Sequence, residues 1–288
     1  RLMGAQIETE GGVLSCRCPD GLRGEKITLS FPSVGATENI LIAAASADGE
    51  TVILNAAREP EIADLADFLC SCGAHISGAD SGEIKVCGVK KLHSAEHTVI
   101  PDRIIASTYM AAAAVTGGDV RILDTRAEHI TPVIPVFEQA GCKVDCGENS
   151  VHISAPVRLR SVQTVRTMPY PGFPTDSQAA VMAMLSVAHG TSVMIENIFE
   201  NRYRHVRELC RLGADIMTEG KVAVIKGVET LTGACVCAAD LRAGTALAVA
   251  GLAAQGSTTI ENVCLIDRGW QDMEKELRSL GADIRRES

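Results

Sequence analysis

A glycine followed by alanine or cysteine recurs at Gly4-Ala5, Gly73-Ala74, Gly141-Cys142, Gly213-Ala214 and Gly281-Ala282, with spacings of 69, 68, 72 and 68 residues. A period this steady over the whole chain restricts it to an architecture built from one repeated supersecondary unit. A second marker keeps the same period. Gly49, Gly118, Gly190 and Gly256 close runs of small apolar residues, where glycine would end a helix by taking the left-handed backbone at no steric cost.

Each unit can be read further by its periodicity. Ile62, Leu65, Ala66 and Leu69 form the i, i+3, i+4, i+7 stripe of a helix with one buried face, and Ile130, Val133, Ile134 and Phe137 repeat it one unit later. The runs 40–45, 110–115, 179–185 and 246–253 are dominated by Ala, Met and Leu, with almost no charge, as in helices buried on all sides. Met110, Met182 and Met184 read there as core filler. Short β-branched runs, 51–54, 120–123, 192–195 and 258–260, follow a glycine and reach Asn or Asp within two residues, as buried strands do. Each unit is therefore expected to be a packed βαβαββ element of an α/β protein.

With 288 residues, 46% of them hydrophobic, the chain can bury a large core, and its length suggests about two domains. A net charge of −9 argues against nucleic acid as the main partner, since counterion release needs clustered Lys and Arg. The apolar runs, about a dozen residues each, are too short to span a bilayer, and no basic-then-apolar leader opens the sequence. A soluble protein in a reducing cytoplasm is expected. Eleven cysteines include the C-x-C pairs Cys16/Cys18, Cys70/Cys72 and Cys235/Cys237, without the C-x2-C spacing or histidine partners of a zinc site. They are expected to be small apolar residues, with neither metal nor cofactor implied. His75, His93, His97, His152 and His189 share no spacing or acidic partner and read as surface or turn residues.

Chemically able residues gather at two corners of the repeat. Fourteen positions before each glycine that closes a small-residue helix lie Gly35, Ile104, Asp176 and Arg242, all at helix entries, and around them read Ser33-Val34-Gly35, Pro101-Asp102-Arg103, Thr175-Asp176 and Asp240-Leu241-Arg242. Helix starts offer unpaired N–H groups and the positive end of the dipole, a setting for phosphate or carboxylate. The second corner, between strand and amphipathic helix, holds Arg58-Glu59-Pro60-Glu61, Arg126 to His129, Glu200-Asn201-Arg202 and Asp267-Arg268-Gly269. Asp, Glu and Asn also sit at helix starts simply to cap them. Arginine does not fit that explanation, because a cation at a helix N-terminus opposes the dipole. Arg103, Arg242 and Arg268 are placed so, and an anion shared among them would account for it. Asp176 is the acid that could act as general base toward a hydroxyl. His205, next to the Arg202 corner, reads as a loop-orienting residue.

The stretches Asn55-Ala56-Ala57-Arg58-Glu59-Pro60-Glu61-Ile62, Thr167-Met168-Pro169-Tyr170-Pro171-Gly172-Phe173-Pro174-Thr175-Asp176, Phe199-Glu200-Asn201-Arg202 and Ile266-Asp267-Arg268-Gly269 closely resemble the UDP-N-acetylglucosamine 1-carboxyvinyltransferase family, and the resemblance runs in order from Arg1 to Ser288. It implies a cytoplasmic transferase that moves the enolpyruvyl group of phosphoenolpyruvate to the 3′-hydroxyl of UDP-N-acetylglucosamine by addition and elimination. That is the first committed step of peptidoglycan synthesis, and so of cell-wall biogenesis, cell shape and division. Carried over position by position, Asp176 is implied to bind the sugar hydroxyl and take its proton. Ser33, Val34 and Gly35 are implied to hold the uridine diphosphate end, and Ile198 to contact the nucleotide sugar through its backbone. Arg202, Arg242 and Arg268 are implied to surround phosphoenolpyruvate and the intermediate, with Asp240 beside them.

The family fold implied is a pair of inside-out α/β barrels, each of three βαβαββ units, with the substrates between them. Six units of about 70 residues need roughly 420, so four units leave the expectation that an N-terminal segment, roughly a third of the family's length, is missing. On that count residues 1–96 are the C-terminal part of the first barrel domain and 97–288 the second, with three repeats. The family's Gly-rich loop carrying a proton-donor cysteine has no counterpart among the eleven cysteines, and negligible turnover is expected of these residues alone. Ile105 stands where the family carries Glu after Pro-Asp-Arg-Ile, which removes a charge near Arg103. Two other functions are compatible with the pattern: enolpyruvyl transfer to shikimate 3-phosphate, and, from another class, a non-catalytic UDP-sugar-binding remnant or one piece of a split protein.

Overall fold

The computed structural model describes residues 1–287, which fall into two compact units, residues 1–100 with 169–171 and residues 101–168 with those from 172 onward. The first opens with an exposed antiparallel hairpin, β1 (Gln6–Glu10) and β2 (Val13–Arg17). A full βαβαββ module follows, made of β3 (Lys26–Thr28), α1 (Val34–Ala44), β4 (Glu50–Leu54), α2 (Pro60–Ser71), β5 (His75–Ser77) and β6 (Glu83–Cys87). β3 runs parallel to β4, β4 pairs antiparallel with β6, and β5 closes the sheet on β6, giving the order β3-β4-β6-β5. The expected stripe of α2 is the buried face, with Ile62, Ala66 and Leu69 all inside.

The second unit continues the plan. Its first module contains α3 (Arg103–Val115), β7 (Asp119–Leu123), α4 (Ala127–Ile130), α5 (Ile134–Gln139), β8 (Lys143–Cys146) and β9 (Ser150–Ser154), with sheet order β7-β9-β8. The next contains β10 (Thr164–Arg166), α6 (Gln178–Leu185), β11 (Thr191–Ile195), α7 (Val206–Arg211), β12 (Asp215–Glu219) and β13 (Val222–Lys226). Its order, β10-β11-β13-β12, and its strand directions are those of the first module. The last module has β14 (Leu231–Thr232), β15 (Cys235–Cys237), α8 (Leu241–Ala253), β16 (Ala254–Gln255), β17 (Thr259–Glu261) and α9 (Met273–Ser279), with parallel pairs β14/β16 and β15/β17. The βαβαββ order is thus complete in residues 26–87 and 164–226. Among the described residues the module at 103–154 has no opening strand and the last has none after α9.

Within the second unit the small-residue helices α3, α6 and α8 pack against one another, and all eight residues of α6 are buried. Alanine at the contacts allows close approach, while Met182, Met184 and Leu185 fill the remaining space. Each such larger side chain contributes about 1.5–3 kcal/mol when taken from water. β11 and β13 alternate buried with less buried residues, so one sheet face packs on the helices and the other faces outward. Helices inside and sheets outside make this an inside-out α/β barrel fold.

The repeat markers have physical causes, one of them other than expected. Gly73, Gly141, Gly213 and Gly281 have φ between +93° and +103°. The residue after each returns its N–H to the carbonyl five positions back: Ala74 to Leu69, Cys142 to Phe137, Ala214 to Leu209 and Ala282 to Leu277, at 2.9–3.1 Å. This is the Schellman closure of an α-helix. Of the other glycines, Gly118 keeps its expected role, its N–H returning to the Ala113 carbonyl at 2.8 Å behind a left-handed Gly117 to close α3, whereas Gly49 and Gly190 do not close helices. α1 ends at Ala44 and α6 at Leu185, so Gly49 and Gly190 lie beyond them at the entry of the next strand.

Three further expectations are corrected. The stripe Ile130, Val133, Ile134 and Phe137 is buried or half-buried but belongs to two short helices, α4 and α5, because Pro132 and Pro135 remove backbone donors from the segment. Only Cys72 and Cys142 are buried. Seven of the eleven cysteines are exposed, since the strands and helix faces carrying them look outward. Two histidines do have acidic partners: His97 Nε2 lies 2.9 Å from Asp64 and His152 Nε2 lies 2.7 Å from Asp119, contacts made across 33 positions of sequence. No helix among the described residues is long and apolar enough to cross a membrane.

Candidate active site

The helix entries divide by what their polar side chains do. Ser33 caps α1, its Oγ accepting the N–H of Ala36 at 3.3 Å; Asp102 caps α3 through Ile104 and Ile105; Asp240 caps α8, accepting the N–H of Ala243 at 2.9 Å. The capping explanation holds for all three. It fails at α6. There the capping position is Ser177, which makes no cap bond, and Asp176 one residue earlier turns away from the helix toward two guanidinium groups.

Asp176 Oδ1 accepts Nη2 of Arg202 at 2.7 Å and also Nε of Arg242. The three groups are half-buried, with side-chain exposures of 35% for Asp176, 16% for Arg202 and 35% for Arg242. Arg242 is the second residue of α8, where the helix dipole disfavours a cation, and the anion that offsets this is the Asp176 carboxylate. Arg202 has more partners. Its Nε donates to Thr175 Oγ1 at 3.2 Å and its guanidinium lies 4.3 Å from the ring centroid of Phe199. Burial lowers the Arg202 pKa, the Arg242 charge lowers it further, and Asp176, Glu196 and Asp240 oppose the change.

Arg268 makes no hydrogen bond or ion pair with these three groups. It is exposed, lies ahead of Met273 where α9 begins, and so does not sit at a helix N-terminus as its spacing implies. Its neighbour Asp267 takes a fork from Arg286 at 2.9 and 2.6 Å. Arg103 is buried at the first position of α3, and Ile105 packs against the core. In the first unit, Val34 and Gly35 open α1, and a side chain built at Gly35 would meet nothing within 4 Å. Ile198 spends its N–H on Glu196 at 2.9 Å.

Near Arg202 in the sequence are two buried polar groups, His205 and Glu196, and the half-buried Tyr203. His205 is 2% exposed, its Nε2 is 3.2 Å from the sulfur of Met182, and burial pushes its pKa down to about 4. An imidazole held neutral there packs against the Met182 sulfur. The Tyr203 hydroxyl donates toward the carbonyls of Met194 and Lys221, both at 3.0 Å, and burial raises its pKa to about 12. Glu196, 1% exposed, was not singled out by sequence reasoning. A signal existed. Six residues after the strand-entry glycines stand Asn55, Asp124 and Asn262, all left-handed, whereas the third module places Glu196 there without a left-handed backbone.

The profile of the EPSP synthase (3-phosphoshikimate 1-carboxyvinyltransferase) family matches residues 1–277, and the chain belongs to this family of enolpyruvyl transferases. It is 50% identical over 282 residues to UDP-N-acetylglucosamine 1-carboxyvinyltransferase 2 of Caldanaerobacter subterraneus, covering 98% of this chain and 67% of that protein. It is 52% identical over 284 residues to UDP-N-acetylglucosamine 1-carboxyvinyltransferase 1 of the same organism, covering 99% and 68%. The enzyme of that name from Finegoldia magna is 48% identical over 288 residues, with coverage of 99% and 68%. The chain therefore spans about two thirds of the length of these curated relatives. Among solved structures, the enolpyruvyl transferase NikO from Streptomyces tendae superposes with a TM-score of 0.88 at 26% identity, covering 99% of this chain and 70% of that one. EPSP synthase from Acinetobacter baumannii shares the fold, with a TM-score of 0.73 at 23% identity, covering 98% and 68%. These relatives at about one-half identity carry the sugar-nucleotide enzyme's name, while the EPSP synthase superposed here is 23% identical.

Proposed function

We propose that this chain carries the hydroxyl-activating part of a UDP-N-acetylglucosamine 1-carboxyvinyltransferase, which transfers the enolpyruvyl group of phosphoenolpyruvate to the 3′-hydroxyl of UDP-N-acetylglucosamine for cytoplasmic peptidoglycan synthesis. The observation that carries this reading is the Asp176 carboxylate. It sits at a helix entry yet caps nothing, and two guanidinium groups hold it in place. A fixed carboxylate within about 3 Å of a bound hydroxyl can accept its proton as the oxygen attacks carbon. Arg202 and Arg242 are the cations that would meet the carboxylate and departing phosphate of phosphoenolpyruvate, and one such preorganised donor is typically worth about 3 kcal/mol in the transition state.

Other roles follow the same reading. Ser33, Val34 and Gly35 hold the diphosphate end, with the open approach at Gly35 leaving room for it. The Ile198 carbonyl meets the nucleotide sugar, its N–H being already taken. Asp240 keeps Arg242 in place by capping α8, and Arg268 joins the anion from its exposed turn. Isothermal calorimetry tests the assignment. Saturable binding of UDP-N-acetylglucosamine with none of shikimate 3-phosphate is expected, and the reverse order would overturn it.

A further inference from the structure

We infer that Glu196 is a positioning residue, a buried carboxylate that sets the direction of the Thr175 hydroxyl and thereby aims the Arg202 guanidinium at Asp176. The inference rests on the function proposed above for what Arg202 then binds, but the relay itself is a matter of geometry. Glu196 Oε2 accepts the Thr175 hydroxyl at 2.9 Å, and Oε1 accepts the Thr167 hydroxyl at 2.9 Å and the N–H groups of Ile198 and Phe199 at 2.9 and 3.1 Å. A hydroxyl has one proton and a carboxylate can only accept. Because the Thr175 proton points to Glu196, the oxygen lone pairs are left for Arg202 Nε at 3.2 Å. Thr167 repeats the pattern, donating to Glu196 and accepting the N–H of Asn197 at 2.8 Å. One carboxylate therefore ties down the turn from Asn197 to Phe199, and with it the ring on which Arg202 lies.

Burial says the same in another way. A carboxylate 1% exposed with no guanidinium or ammonium in direct contact is costly unless every lone pair is used, and four donors meet this one. Phe or Leu would serve the core more cheaply at this strand end. What an apolar residue cannot do is orient a hydroxyl. Glu196→Gln changes that direction, since an amide nitrogen facing Thr175 donates, turning the hydroxyl proton toward Arg202 Nε–H.

The test uses the 288-residue chain in four forms: wild type, Glu196→Gln, Thr175→Val and Thr175→Ser. Nitrogen-15 NMR reads the Arg202 Nε–H signal, assigned by its loss in Arg202→Lys, and calorimetry reads phosphoenolpyruvate affinity in the presence of UDP-N-acetylglucosamine. The relay predicts that Glu196→Gln and Thr175→Val shift the Arg202 signal toward that of a free arginine and weaken phosphoenolpyruvate about tenfold, while Thr175→Ser restores both. An unmoved Arg202 signal in Thr175→Val, or in a folded Glu196→Gln, would overturn the inference, whatever either variant does to stability. If wild type binds no phosphoenolpyruvate, the proposed function fails, and the Arg202 signal still decides on the relay.

Discussion

The modules at 26–87 and 164–226 follow one chain path twice, with the same strand order, the same parallel and antiparallel pairings and the same Schellman closure, yet they do different work at the same corners. At the first module's helix entry Ser33 caps α1, and at the strand end Asn55 turns left-handed and donates its amide to the Leu29 carbonyl at 2.9 Å. Both polar groups are consumed by the backbone. In the second, Asp176 leaves the cap unmade and Glu196 keeps an ordinary backbone while its carboxylate turns inward. The corner arginines differ likewise: Arg58 is exposed and reaches the Asp80 carbonyl, whereas Arg202 is drawn between two carboxylate-linked positions. Chemistry enters this scaffold where residues that would satisfy the backbone are replaced by charges that satisfy one another.

The largest expected effect probes what the modules share. A β-carbon at Gly227 would fall 1.5 Å from the carbonyl oxygen of Ala188, and one at Gly88 would fall 1.8 Å from that of Ala47. Backbone cannot yield at either place. Gly227→Ala and Gly88→Ala should each cost about 3 kcal/mol in urea unfolding, and tolerance of only one would break the equivalence. A similar effect is confined to the later module. The pKa of His205 in the folded chain, about 4, lies below the ordinary value of 6.5, so the unfolded chain binds the proton more readily between those values. Stability from this group is fully present above pH 6.5 and is lost as pH falls toward 4, by roughly 3 kcal/mol. Urea midpoints across that range should fall in the wild type and flatten in His205→Leu.

Smaller effects separate capping from chemistry. Ser33→Ala should lower stability by about 1 kcal/mol, the ordinary cost of a lost cap. Asp176→Asn should cost less, below about 1 kcal/mol, because the pair is about one-third exposed on the aspartate side and water screens it. Equal losses in the two variants would mean that Asp176 stabilises α6 much as Ser33 stabilises α1.

What could be read in the residues was local. The Gly-Ala closures, the stripe of α2 and the uncharged helices follow from backbone conformation and periodicity, which neighbouring residues determine. The missing strand before α3 and the split of the helix at 127–139 were not visible, since a strand depends on a distant partner and the apolar stripe hid the effect of Pro132 and Pro135. The clamp residues Asp176, Arg202 and Arg242 could be chosen from their corners, but only the folded chain distinguishes Asp176 from the capping Asp240. Glu196 escaped because an acidic side chain at a strand end is usually solvated. His97 and His152 escaped because their partners are 33 positions away.

The Asp176→Asn chain, titrated with UDP-N-acetylglucosamine in a calorimeter and unfolded in urea alongside wild type, tests most directly whether that carboxylate is there for the ligand. The account predicts affinity lower by about tenfold or more, as for a lost hydrogen bond to a charged group, with the unfolding midpoint nearly unchanged. Undiminished affinity together with a clear loss of stability would contradict it.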